Sequence, residues 1–335
     1  MVKIAVVGPG RTSTLSTEVA REVIDGLVAT GKHEILLFSR RDATPEVAVP
    51  GTAWVKVPDY QDKPKLVEAL KGVHTVLSFV VAHQDIGNVT QTALIDAAIE
   101  AGVKRIAPSE WAVADFAHLP WYHGKLAIRD YLAEKNKDNK VIEYTLFQPG
   151  WFLNYLAGTR QTAKHVHPSA IALLDHETLT GRVGAGHRDR RTTYTAIADF
   201  VNIVVKAIDY EGEWPAVGGI NGHTLSFAEE LAIGEKVRGK PYEIEEPNID
   251  DLKAGIVNVK RLPLLTHPSL AQEDKVTFSK QILSGVVLHH GEGHAEGSDE
   301  WNRIFPDYKF TSAEEFLTQT FWDCVRGSAQ VVDNT

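Results

Sequence analysis

Apolar residues recur with two spacings along the first 150 residues. Short apolar runs at Lys3–Val7, Glu34–Ser39, Ala53–Val57, Thr75–Val81, Arg105–Ala107 and Tyr144–Gln148 read as strands. Between them, Thr17–Ala29, Lys63–Leu70, Asn88–Ala101 and Tyr122–Glu134 place apolar residues three and four apart, the period of a helix with one buried face. Strand and helix in alternation predict a parallel sheet covered by helices, an α/β Rossmann-like doubly wound fold. Gly31 and Gly102 follow two of these helices where a left-handed cap would sit.

From about Pro149 the alternation loosens. β-type pieces at Ala170–Leu174 and Thr193–Thr195 mix with helical periods at Ile197–Tyr210, Phe227–Arg238, Ile249–Val257 and Glu314–Val325. We expect a sheet domain over residues 1–150 and a smaller α+β region over 151–335, packed against the sheet edge. The glycine-rich stretch from Gly291 to Gly297 reads as a mobile loop.

Composition narrows the class. A chain of 335 residues with 43% apolar content can bury a core, which excludes disordered and fibrous classes. Net charge is -9, from 35 Lys and Arg against 44 Asp and Glu, and this argues against nucleic acid as the main ligand. Cys324 is the sole cysteine and can form no intrachain disulfide. No apolar run approaches the roughly 20 residues of a membrane span, and Lys3 sits inside the first strand rather than in a basic leader. The expectation is a cytoplasmic protein, monomer or homodimer, with a small-molecule partner.

Candidate chemistry begins where the first strand meets Gly8-Pro9-Gly10-Arg11-Thr12-Ser13-Thr14 and then a helix. Strand, glycine turn and helix in that order can hold a dinucleotide pyrophosphate on the helix N-terminus. The fingerprint is altered, because Ser13 occupies the place of the third glycine of G-x-G-x-x-G. Gly8, Gly10, Arg11 and Thr12 are the phosphate candidates, with Arg11 and the hydroxyls supplementing backbone N–H groups. A helix starting near Thr17, with Ala20 in the close-packing role, is the alternative. The second strand ends at Arg40-Arg41, where an NAD site would carry a carboxylate. Guanidinium groups there suit a 2′-phosphate, so NADP(H) is favoured over NAD.

The chain resembles the NmrA-like and isoflavone-reductase-like family of atypical short-chain dehydrogenases, in particular its fungal secondary-metabolism branch. The resemblance is carried by Gly31-Lys32-His33-Glu34, by Gly72 to Ser78, and most specifically by Asp96 to Trp111, which includes Pro108-Ser109-Glu110. Weaker echoes occur at Tyr144-Thr145, Pro149-Gly150-Trp151-Phe152 and Phe305-Pro306-Asp307. It implies a Rossmann-like domain, NADP(H), and a catalytic lysine on the helix after Glu110, for which Lys125 is the matching position. A desolvated lysine, or one beside another positive charge, can work as a proton donor near neutrality. Four residues before Lys125 stands Trp121 rather than the tyrosine of Tyr-x-x-x-Lys, so Tyr122 and His123 are the further proton-donor candidates.

Ser78 and Phe79 end the fourth strand at the carboxyl edge where α/β sheets bind ligands, although Phe79 suits a core role as well. Pro149 and Phe152 leave the sixth strand on the same edge and would wall the nicotinamide and an apolar or aromatic substrate. His289 and His294 have a spacing that two metal ligands can share, but no carboxylate or cysteine pattern completes a site. No metal is expected; a histidine contact to substrate is the other reading. The leading function is NADPH-dependent reduction of an aromatic, polyketide-like or alkaloid-like molecule at C=O, C=N or activated C=C. A dinucleotide-sensing regulator without turnover and a cofactor-independent rearrangement or cyclisation enzyme remain as alternatives.

Overall fold

The computed structural model describes residues 1–8, 14–44, 48–168, 172–265, 271 and 273–322. In chain order the strands and α-helices are β1 (Lys3–Val7), α1 (Leu15–Thr30), β2 (Glu34–Ser39), β3 (Thr52–Lys56), α2 (Lys63–Leu70), β4 (Thr75–Ser78), α3 (Val89–Glu100), β5 (Arg105–Ala107), α4 (His123–Lys135), β6 (Glu143–Tyr144) and β7 (Leu146–Gln148). Then follow β8 (Trp151–Phe152), β9 (Leu174–Asp175), β10 (Thr180–Arg182), β11 (Arg191–Thr195), α5 (Ile197–Asp209), β12 (Val217–Gly219), β13 (His223–Ser226), α6 (Phe227–Arg238), β14 (Glu243–Glu245), α7 (Ile249–Lys253), α8 (Lys275–Gly291), α9 (Glu300–Ile304) and α10 (Ala313–Thr320).

The chain divides into two compact units. The first comprises Met1–Trp111, Trp121–Gln148 and Val201–Gly219; the second comprises Ala112–Pro120, Pro149–Phe200 and Ile220–Thr335.

The first unit is built on a six-stranded sheet of order β3-β2-β1-β4-β5-β6, with every pairing parallel. The order reverses at β1, and this crossing point is where doubly wound sheets open a ligand crevice at their carboxyl edge. Side-chain alternation loads both faces. Ala5, Val7, Leu36 and Phe38 join Leu66 and Leu70 of α2, Leu94 and Ile95 of α3, and Ile128 and Leu132 of α4 in one core. Ile4, Val6, Ile35 and Leu37 point the other way and are buried as well. Gly31 closes α1 in the left-handed conformation, φ 62°, as the punctuation predicts.

The expected strand Tyr144–Gln148 is interrupted at Thr145 because it changes partner. β6 pairs with β5, whereas β7 pairs with β12, which lies some 70 residues later in the sequence. Arg105 secures this region: its guanidinium is buried and donates to Glu143 Oε1 at 2.6 Å and to the carbonyls of Tyr210 and Gly212 at 2.6 and 2.5 Å.

The second unit has two three-stranded sheets, β14-β10-β9 and β13-β11-β8, and mixed helices. The expected helix Ile249–Val257 ends at Lys253, and α8 was not signalled by the sequence reading.

Candidate active site

The cleft of the first unit lies at the carboxyl ends of β1, β2 and β4, is open to solvent and has a volume of about 270 Å³. Gly8 forms its floor with φ +88°, and a Cβ there would stand 3.0 Å from the carbonyl carbon and oxygen of Phe79. Both the backbone angle and the close approach therefore require glycine. Past Gly8, the candidates Gly10, Arg11 and Thr12, with Pro9 and Ser13, lie outside the described residues, as does Cys324. The helix begins earlier than Thr17. Thr14 is the N-cap of α1, and its hydroxyl accepts from Thr17 N–H while Thr17 Oγ1 accepts from Thr14 N–H, a reciprocal capping box.

Arg40 and Arg41 stand exposed at the end of β2 and line the cleft. Neither guanidinium has an ion-pair partner among the described residues; neighbouring Asp42 is bound to Lys56 at 2.8 Å. The Arg41 backbone is held at both ends, its N–H donating to Ser39 Oγ at 3.2 Å and its carbonyl accepting from Trp54 Nε1 at 2.9 Å. Tyr60, which sequence reasoning missed, also lines the cleft. Its hydroxyl is buried without a hydrogen-bond partner, and burial pushes its ionisation up, against the opposing pull of Arg40.

Ser78 is buried, and its carbonyl accepts from Trp111 Nε1 at 2.6 Å. Phe79 borders the cleft, but its ring is fully buried and stacks on Trp111 at 4.5 Å, and Trp111 in turn stacks on Phe147 at 5.3 Å. Both expected roles of Phe79 are thus physically compatible.

Lys125 is the third residue of α4 and only 5% exposed. Its Nζ donates to the carbonyls of Ser109 and Glu110 at 2.6 and 2.7 Å and lies 5.2 Å above the Tyr122 ring. Burial brings its pKa down to about 8, with the Glu110 carboxylate opposing and Arg129 assisting. The Glu110 carboxylate is buried and accepts from Arg129 Nε at 3.0 Å, from Arg129 Nη2, and from Gln148 Nε2 at 3.1 Å. Asn88 Nδ2 donates to Gly124 O at 2.9 Å and Gln91 Oε1 accepts from Ser109 N–H at 2.9 Å, so the start of α3 braces both the first turn of α4 and the Ser109 turn.

Tyr122 ends the short 3₁₀ turn before α4, and burial pushes its phenol up to about 12. His123 opens α4 and is exposed. The structure thus brings Lys125 and Tyr122 together and adds Glu110, Arg129 and Gln148, which no local signal marked; the spacing of four between Lys125 and Arg129 was the one available hint.

Pro149 and Phe152 fall in the second unit, where both are buried. The Phe152 ring meets Tyr155 and Phe200 edge-on at 5.8 and 5.7 Å. The same unit contains a narrow apolar recess of about 10 Å³, room for a single water at most, bordered by Trp151, Tyr155, Leu173, Tyr194 and His290.

The 291–297 stretch, expected to be a mobile loop, is tied down, and the two histidines before it are buried. His289 and His290 occupy the last turn of α8 at 0% and 1% exposure, because that turn packs Val286, Val287 and Leu288 into the core. Burial brings each imidazole down to about 4, leaving both neutral at physiological pH. Beyond Gly291 the chain is tied to β11: the Ala295 carbonyl accepts from Thr193 N–H at 3.0 Å and Gly297 N–H donates to Thr193 Oγ1 at 2.9 Å. Among the described residues no three His, Cys, Asp or Glu side chains converge as metal ligands, and no helix is long and apolar enough to cross a membrane.

Comparison with known proteins agrees with this architecture. Eugenol synthase 1 of Petunia hybrida is 25% identical over 272 residues, 78% of this chain and 79% of the relative. Quinone oxidoreductase 2 of Escherichia coli (strain K12) is 28% identical over 242 residues, 71% of this chain and 77% of the relative. Among solved structures, the E. coli NADPH-dependent quinone oxidoreductase QOR2 complexed with NADPH has a TM-score of 0.63 at 22% identity, covering 95% of this chain and 99% of that one, a likeness of fold. The sequence pattern of the NmrA-like family matches residues 3–317, and the chain belongs to that family.

Proposed function

We propose that the protein is an NADPH-dependent reductase of an aromatic small molecule, with Lys125 supplying the proton. The observation that carries this reading is the Lys125 amine itself: buried, held by two backbone carbonyls, and brought to a pKa of about 8. A proton donor works best when its pKa lies near the operating pH, since it is then both charged and ready to give up its proton.

The described residues of the cleft fit a dinucleotide carrying a 2′-phosphate. Gly8 lets the end of β1 pass close to the Phe79 backbone and line the cleft, and Arg40 and Arg41 bring two guanidinium groups to it that have no ion-pair partner among the described residues. Gly10, Arg11 and Thr12 would complete the pyrophosphate loop. Ser78 and Phe79 would border the cofactor at the end of β4. On this reading the first 150 residues bind NADP(H) and residues 151–335 bind substrate.

When bound, NADPH supplies the hydride. Lys125 holds the proton at Nζ, passes it to the substrate heteroatom as negative charge develops there, and is recharged from solvent. Tyr122 stays protonated at neutral pH and presents its ring to the amine. His123, exposed at the start of the helix, is the second candidate for relaying the proton. Oxidoreductase relatives acting on a quinone support the substrate class. A cytoplasmic monomer or homodimer, within the fungal secondary-metabolism branch of the family, completes the proposal.

Separate titrations of NADPH, NADP and NADH test the reading. We expect the two phosphorylated forms to bind and NADH to bind far more weakly, with Lys125→Ala folded but nearly without turnover. Equal binding of NADPH and NADP with no consumption against any acceptor would instead establish the dinucleotide sensor. No binding of either would point to cofactor-independent chemistry.

A further inference from the structure

We propose that Arg129 is a positioning residue for the reaction: through the Glu110 carboxylate it fixes the turn whose two carbonyls hold the Lys125 amine. This rests on the assignment of Lys125 as proton donor.

Glu110 is the centre of this cluster. Its carboxylate is only 2% exposed, and a buried anion is stable only when a cation and further hydrogen bonds meet it. Arg129 supplies the cation through Nε at 3.0 Å and through Nη2, and Gln148 adds a neutral donor at 3.1 Å from the end of β7. The backbone of the same residue makes a tight turn, Glu110 N–H donating to Pro108 O at 2.7 Å, and the Ser109 and Glu110 carbonyls of that turn both receive Lys125 Nζ. Lys125 and Arg129 are four residues apart on α4 and so share one face. One helix therefore carries both the amine and the clamp on the turn that holds it, which fixes their separation.

The charges around the amine are Glu110 from the turn after β5, Arg129 from α4 itself, and His83 from the 3₁₀ turn at Ala82–Gln84, whose own pKa is lowered partly by Lys125; the Tyr122 phenol lies alongside. With Arg129 gone, Glu110 has Lys125 as its nearest cation. The amine then holds its proton more tightly and is drawn away from the carbonyls. With Glu110 neutral, Lys125 faces Arg129 uncompensated and releases its proton more easily. The two changes act in opposite directions, which general loosening of the fold does not produce.

The test is an NMR titration of the full-length protein carrying ¹³Cε-labelled lysine, with the Lys125 signal assigned through Lys125→Met. Wild type is expected to titrate near pH 8. Arg129→Gln should move the midpoint upward, Glu110→Gln should move it downward, and Arg129→Lys should restore it most of the way to wild type. Midpoints that stay together in folded variants overturn the proposal, as do two shifts in the same direction. Should Arg129→Gln fail to fold, Glu110→Gln decides alone, because it removes the buried charge instead of orphaning it. The readout requires no substrate, so a protein inert toward NADPH would sink the reductase reading and leave this result standing. If turnover is present, the pH limb of kcat should follow the NMR midpoints while KM for NADPH is unchanged.

Discussion

On the proposed function Arg40 and Arg41 would carry the choice between the two nicotinamide cofactors, and among the described residues neither guanidinium has an ion-pair partner, which makes that choice testable. A charge-assisted hydrogen bond contributes about 1.5–3 kcal/mol, so Arg40→Ser with Arg41→Ser should weaken NADPH at least tenfold while leaving NADH unchanged. Calorimetric titration of both cofactors checks this, and equal loss for the two would contradict a role in reading the 2′-phosphate. These arginines were legible in the sequence because a strand end is a local feature and the residues that follow it have nowhere else to point. Lys125 was legible for the same reason, through its helix and the family motif. The Glu110–Arg129–Gln148 cluster was not, since its members are 19 and 38 residues apart and meet only once β5, α4 and β7 are assembled. Tyr60 was likewise hidden; an aromatic residue before a polar turn reads as surface until the cleft closes around it.

Among the elements, β5 is three residues long yet pairs with a strand on each side, and Arg105 explains how so short a strand is held. The guanidinium binds Glu143 and two carbonyls of the 210–212 segment and lies 5.1 Å from the Trp214 ring. Arg105→Met removes all of these, while Glu143 keeps Lys140 at 3.7 Å and the Trp214 N–H at 2.9 Å, so the expected loss is about 1.5–3 kcal/mol. Urea unfolding of the variant should read that loss, and a change below about 1 kcal/mol would mean that other contacts hold the strand. Elements with strong periodicity were recovered closely: β2, α2 and α6 match the expected spans, and α5 nearly so. Boundaries failed where tertiary partners decide them. β4 stops at Ser78 instead of Val81 because its partners β1 and β5 end at Val7 and Ala107. The helix α8 was lost to composition, since polar residues dilute its pattern and the glycines after it suggested a loop. The strands β8, β9, β10, β12 and β14, two or three residues each, are too short to show a period at all.

Over the whole molecule the buried titratable groups set how stability depends on pH. Native Lys125 releases its proton near 8, against 10.5 for an unperturbed lysine. Between those values the unfolded chain binds one proton more than the folded one, so stability rises across that window, by up to about 3 kcal/mol from this group. Below pH 8 both states are protonated and the dependence on Lys125 vanishes. Lys125→Met should flatten the rise between pH 8 and 10 in denaturant titrations. His289 and His290 act at the acid end. Their native values near 4 lie below the usual 6.5, so stability falls as pH drops through that interval while the unfolded chain takes up protons. His290→Gln should lessen this acid loss, provided that its amide keeps the bond to Thr192 Oγ1.

The sheet order, the glycine at the end of β1, the arginines after β2 and the buried lysine on α4 all converge on reduction by NADPH. The measurement that tests this most directly is loss of nicotinamide absorbance from NADPH across a panel of quinones and aromatic carbonyl compounds, run with wild type and Lys125→Met at pH 7. The account predicts consumption of NADPH with at least one acceptor class, little with NADH, and a fall of about 10²–10⁴-fold in the lysine variant. No consumption across the panel, or an unchanged rate in Lys125→Met, would contradict it.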